Sequence, residues 1–128
     1  MNITITSENK EEYLLIESKG TLETKEDLFA HAQMLFDEIQ KHGSQKILIN
    51  QPETYFPLEL FPYFGLVQNY EDNFPPEFRN LKIAIVISNE YKDVAASWEA
   101  ICQSRGLQYF AFTSFQDAIS CLFDENVA

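Results

Sequence analysis

Leu81-Lys82-Ile83-Ala84-Ile85-Val86-Ile87 is an almost unbroken apolar, β-branched run. A run of that kind reads as a strand buried on both faces. After it, Val94, Trp98, Ile101 and Cys102 fall on one helical stripe, which ends at Arg105-Gly106, and a second apolar run spans Leu107 to Phe112. Strand, helix, strand is a parallel unit, because two parallel neighbours need a long crossover and a helix supplies it. This stretch constrains the fold far more than the activity, since none of its residues demands a particular chemistry.

The rest of the chain supplies more elements of the same kind. Asn2 to Thr6 alternates, with Ile3 and Ile5 on one face, and Tyr13 to Glu17 is centred on Leu14, Leu15 and Ile16. The short polar turn Ser7-Glu8-Asn9-Lys10 between them predicts an antiparallel hairpin, and Gly20 is read as its end. Thr24, with Asp27 three residues on, resembles a capping box, and Leu28, Ala32, Leu35, Phe36 and Ile39 follow at helical spacing. Gly43 after Lys41-His42 is the stop signal. Lys46 to Asn50 reads as the third strand. A further helix is expected within 58–69, and Ser114 caps a last one whose stripe is Phe115, Ala118, Ile119 and Leu122. The predicted class is α/β, in the order β-β-α-β-α-β-α-β-α. That is one domain over residues 1–128, with a five-stranded mixed sheet and four helices covering both its faces.

Gln51 to Arg79 departs from this regularity. All five prolines of the chain lie in it, as do eight of its 18 aromatics: Tyr55, Phe56, Phe61, Tyr63, Phe64, Tyr70, Phe74 and Phe78. Such a concentration either completes the core around an irregular helix, forms a surface for a partner, or lids an apolar cavity. In an open α/β sheet ligands settle at the carboxyl ends of the parallel strands. Here those ends are Asn50, Ser88 and Thr113, and the aromatic segment begins at the first of them.

With 128 residues and a formal net charge of −11, the chain would be repelled by nucleic acid and by anionic lipid. No apolar run reaches the roughly 18 residues that span a bilayer, and the amino terminus has no apolar signal region, so the expected location is the cytoplasm. Cys102 and Cys121 form no close-spaced metal or redox motif and are expected as small buried thiols. His31 and His42 are the only histidines; neither has partners at metal-ligand spacing, so no metal site is expected. There is no Gly-x-Ser-x-Gly elbow and no glycine-rich phosphate loop. The chain is accordingly read as a non-enzyme without a cofactor, although a Ser-His-acid triad assembles in space and leaves no sequence signature.

The order of elements, together with Lys82-Ile83-Ala84-Ile85-Val86, Trp98-Glu99, Ser104-Arg105-Gly106-Leu107, Phe112-Thr113 and Ala118-Ile119 with Leu122, resembles the SpoIIAA-like branch of the STAS fold (sulfate transporter and anti-sigma factor antagonist). The resemblance covers the whole chain as topology and about the last 45 residues as sequence. In the anti-sigma factor antagonists of that fold an Asp-Ser pair follows the third strand and the Ser is phosphorylated. The matching place here reads Asn50-Gln51-Pro52-Glu53-Thr54-Tyr55 and has no such pair. Thr54 is the residue that would stand in, and Pro52 with the neighbouring aromatics argues against a switch there. The resemblance implies a regulatory interaction module. Its partner, or a second copy of itself, would dock through the aromatic segment Tyr55 to Phe78, and the candidate ligand or partner surface is Asn50, Tyr55, Phe56, Phe61, Tyr63, Phe64, Ser88 and Thr113. The alternative is a carrier of a small apolar or lipid-like ligand under a lid formed by the same segment, because this fold is similar in layout to lipid-transfer folds of the Sec14 type.

Overall fold

The computed structural model describes residues 2–60 and 80–124. Five strands form one sheet: β1 (Asn2–Asn9), β2 (Leu14–Thr21), β3 (Lys46–Tyr55), β4 (Lys82–Ile87) and β5 (Gln108–Phe112), side by side in chain order. β1 and β2 are antiparallel, and β2 to β5 run parallel. The mixed five-stranded sheet is therefore as expected. The helices are α1 (Lys25–His42), α2 (Lys92–Ser104) and α3 (Phe115–Leu122). That makes three α-helices among the described residues where the sequence led us to expect four, in the order β-β-α-β-β-α-β-α. Of the fourth, expected within 58–69, residues 58–60 form a 3-10 turn and the remainder lies outside the described residues.

Strand alternation builds two cores. Leu14 and Ile16 of β2, Ile47 and Ile49 of β3, and Ile85 and Ile87 of β4 pack with Ile39 of α1 and Tyr91 just before α2. Their neighbours Leu15, Leu48, Ala84 and Val86 point to the opposite face and meet Ala118 and Leu122 of α3. β4 is thus buried on both sides, which is why its sequence carries no alternation. Right-handed crossovers between strands laid down in order put the crossover helices on one face. α1 and α2 share the first face accordingly, and α3, which leads to no further strand, covers the second.

The caps form as the sequence indicates. Thr24 Oγ1 accepts the Asp27 N–H at 3.1 Å, and Asp27 Oδ2 accepts the Thr24 and Glu23 N–H groups at 3.3 and 2.9 Å. The Glu23 bond, first, and the Thr24 bonds hold the Asp27 carboxyl below its usual value. Gly43 closes α1 at φ 66°, its N–H donating to the Ile39 carbonyl. Ser114 Oγ accepts the Asp117 N–H at 3.3 Å. Ser88 stands at the start of the 3-10 turn Asn89–Tyr91 that leads into α2 and makes no side-chain cap there. Phe115 is 39% exposed and does not belong to the buried stripe of α3.

Three strands run beyond their expected ends. β1 continues to Asn9 and β2 to Thr21 because each supplies the other's ladder, with Gly20 opposite Ile3 inside the strand and not terminating it. β3 passes through Pro52 to Tyr55. Its ladder to β4 ends at Gln51, opposite Ile87. Against β2, Glu17 pairs with Asn50 and Lys19 with Glu53, so Ser18 alone faces Gln51 and Pro52. Pro52 has no N–H to give a ladder, and a bulge beyond the reach of β4 is where a strand tolerates it.

Candidate functional site

That bulge reverses the parity of β3. Before it, Ile47, Ile49 and Gln51 face α1 and α2; after it, Thr54 and Phe56 do. Thr54 is brought beneath α1, where it is 2% exposed, with Ser18 at 1% and His31 at 5%. Ser18 Oγ lies 2.9 Å from both His31 Nε2 and Thr54 Oγ1, and Thr54 Oγ1 donates to the Ser18 carbonyl at 2.9 Å. The hydrogens can be assigned by counting. Thr54 spends its one proton on that carbonyl, so Ser18 must donate to Thr54 Oγ1, and His31 must donate from Nε2 to Ser18. His31 Nδ1 is then left as an acceptor. Burial pushes the imidazole down to about 4, so the ring is neutral near pH 7.

A serine 2.9 Å from a histidine has the spacing of a nucleophile and its base. The hydrogen count argues against that role. His31 Nε2 holds a proton and cannot take one from Ser18, and the Ser18 hydroxyl is closed off from solvent. The group ties β2, α1 and β3 together, each buried neutral bond contributing about 1 kcal/mol.

Beside this network lies a cavity of about 190 Å³ between α1 and α2, floored by the sheet. From α1 come Leu28, Phe29, His31, Ala32 and Leu35; from α2, Val94, Ala95 and Trp98. Ile49 and Gln51 of β3, Ile85 and Ile87 of β4, and Tyr109 of β5 form the floor, with Phe56 and Tyr91 at one side. The described lining is apolar but for His31, Gln51 and the polar tips of its tyrosines and Trp98. The Trp98 indole hydrogen-bonds Tyr109, while burial pushes the Tyr109 phenol far up. Tyr91 and Phe56 stack with ring centroids 4.2 Å apart. The Gln51 Oε1 atom is buried and has no hydrogen-bond partner among the described residues.

The residues singled out in the sequence do not converge on this cavity. Phe56 lines it. Asn50 points to the opposite face of the sheet, where its Nδ2 reaches Glu17 Oε2 at 3.5 Å. Ser88 bonds Glu90, and Thr113 borders a separate groove of about 310 Å³ with Lys92, Glu99 and Asp117. Tyr55 is 43% exposed. Thr54 is not in a loop but in β3, its hydroxyl engaged on both sides. Phe61, Tyr63 and Phe64 lie outside the described residues. Sequence reading passed over Gln51, although it continues the alternation Ile47, Ile49 and is the one polar side chain on that face of β3 before the bulge.

Solved structures share this architecture. An anti-sigma factor antagonist from Mycobacterium paratuberculosis superimposes with a TM-score of 0.61 at 10% sequence identity, over 95% of each chain. The chain has a SpoIIAA-like fold. An uncharacterized protein from Shewanella loihica, itself described as SpoIIAA-like, matches with a TM-score of 0.53 at 20% identity over 94% of each chain. No protein-family model matches the sequence, and a comparison with curated proteins gave no match. The SpoIIAA-like fold is therefore established by geometry, as the resemblance in the carboxyl half implies. No described helix is long and apolar enough to cross a membrane. Among the described residues no group of three or more His, Cys, Asp or Glu side chains is placed to hold a metal ion.

Proposed function

We propose that the protein is a non-enzymatic binding module that takes a small apolar ligand in the cavity between α1 and α2. The observation that carries this reading is the cavity itself: a partly open hollow walled by two helices and floored by the sheet, its described lining almost wholly apolar, with a few polar groups among it. Trp98, the only tryptophan, lies in its wall and serves as a built-in reporter. Titration with an apolar fluorescent dye should quench or shift the Trp98 emission in a saturable way. Ala95→Phe, which places a ring in the cavity, should abolish the response while leaving the circular dichroism unchanged. Dye binding that is absent, or equal in a folded Ala95→Phe protein, overturns the reading.

A second reading, a protein partner or a second copy as occupant of an exposed surface, is favoured by one separate observation. Tyr55 is 43% exposed and Leu58 60%, three residues apart where the chain leaves β3. The fold shared with an anti-sigma factor antagonist supports a regulatory setting for it. Tyr55→Glu with Leu58→Glu should then abolish self-association measured by light scattering. A wild type that stays monomeric at all concentrations removes the homodimer. Cys102 and Cys121 stand as buried thiols, which suits a cytoplasmic location.

A further inference from the structure

The cavity is not chemically uniform, and its one irregularity concerns hydrogen bonding. Gln51 Oε1 is a buried acceptor with nothing to accept from among the described residues. Leaving such a group unpaired costs about 1–3 kcal/mol, and an unpaired buried group in a native fold calls for an explanation. Nothing in the strand requires glutamine there. The same face of β3 carries Ile47 and Ile49, and a third aliphatic residue would extend the core at no polar cost.

His31 lines the same cavity, and the hydrogen count around Ser18 leaves its Nδ1 as a second acceptor. No described carboxylate, lysine or arginine lines the cavity with them. We infer that the ligand is a ring-sized hydrophobe carrying a neutral hydrogen-bond donor, a phenol-like hydroxyl or an indole-like N–H, which Gln51 Oε1 accepts once the Gln51 amide, part of the cavity lining, turns its buried oxygen toward the ligand. Volume supports the size: an engineered apolar cavity of about 150 Å³ holds benzene, and this one is about 190 Å³. Charge supports the neutrality. A carboxylate would find no cation among the described lining residues and an ammonium no counter-ion, and burying either charge unpaired is strongly unfavourable.

This inference rests on the cavity reading above, and its test separates the two. Phenol and toluene have nearly the same shape and differ by a hydroxyl in place of a methyl. Their affinities are measured by calorimetry, with the Trp98 indole N–H resonance confirming the site. The proteins are wild type, Gln51→Leu and Gln51→Met, each checked for folding by circular dichroism. Wild type should bind phenol at least as tightly as toluene, although phenol is the less hydrophobic of the two. Gln51→Leu and Gln51→Met should move the phenol-to-toluene affinity ratio toward toluene by about tenfold or more, the scale of one buried hydrogen bond. If both compounds bind and the ratio is unchanged in the variants, the Gln51 acceptor is satisfied otherwise, for instance by water, and this inference falls while the cavity reading stands. If neither compound binds wild type, both fall.

Discussion

The Tyr91 hydroxyl closes both backbone groups of Phe56. It accepts the Phe56 N–H at 2.9 Å and donates to the Phe56 carbonyl at 3.0 Å, while the two rings stack. A residue that follows β4 thereby fixes the point where the chain leaves β3. Tyr91→Phe keeps the stacked ring and deletes both bonds. It should cost about 1–3 kcal/mol of stability, measured by urea unfolding. A loss below about 0.5 kcal/mol would mean that the stack alone holds Phe56.

His31 makes stability depend on pH. Its value in the fold is about 4, against 6.5 for a free imidazole. Between those limits the unfolded chain holds more protons than the folded one, so stability rises with pH across the window. The contribution is complete above about pH 6.5 and is lost as pH falls toward 4, a swing of about 3 kcal/mol. Unfolding free energies of wild type and His31→Gln, compared from pH 4 to 7, should converge toward the acid end. Parallel profiles would show that His31 is not buried neutral.

Gly20 occupies β2 at φ 135°, and a Cβ built there would sit 2.0 Å from the Asn2 carbonyl oxygen. Gly20→Ala meets both backbone strain and a clash with backbone that cannot be rotated away. We expect a loss of about 2 kcal/mol or more. Amide exchange should become faster at the Asn2 end of β1 than at the hairpin turn. Equal protection along β1 would contradict this.

Trp98 is half-buried and already borders open space. Trp98→Ala should therefore cost about 3 kcal/mol, at the low end for removing a large aromatic, and the enlarged cavity should accept bulkier dyes. A cost below about 1 kcal/mol would place the ring outside the packed interior.

Much of this was legible beforehand. The Leu81–Ile87 run, the Thr24–Asp27 and Ser114–Asp117 caps and the Gly43 stop are local signals, and each formed where its chemistry said it would. What escaped was set by distant pairing. Pro52 argues for the end of a strand unless β2 continues alongside while β4 has already stopped, and only the register shows that. Ser18, His31 and Thr54 are 13 and 36 residues apart where they bond; in the sequence they are three unremarkable polar residues. The clustering of prolines and aromatics beside Asn50 pointed to the carboxyl ends of the strands. The cavity reaches those ends in β3 and β4, at Gln51 and Ile87, but its walls come from helices whose stripes read simply as core.

The order of the strands has a bearing on how the molecule forms. Each strand pairs only with its predecessor and its successor, so no late segment has to be threaded between two that are already joined. A chain emerging amino terminus first can close the hairpin, lay α1 back over it, dock β3, and extend the sheet one unit at a time. Every step closes a loop no longer than one crossover, which keeps the entropic cost of each step small. Truncation from the carboxyl end should thus leave partly built sheets that retain native pairing.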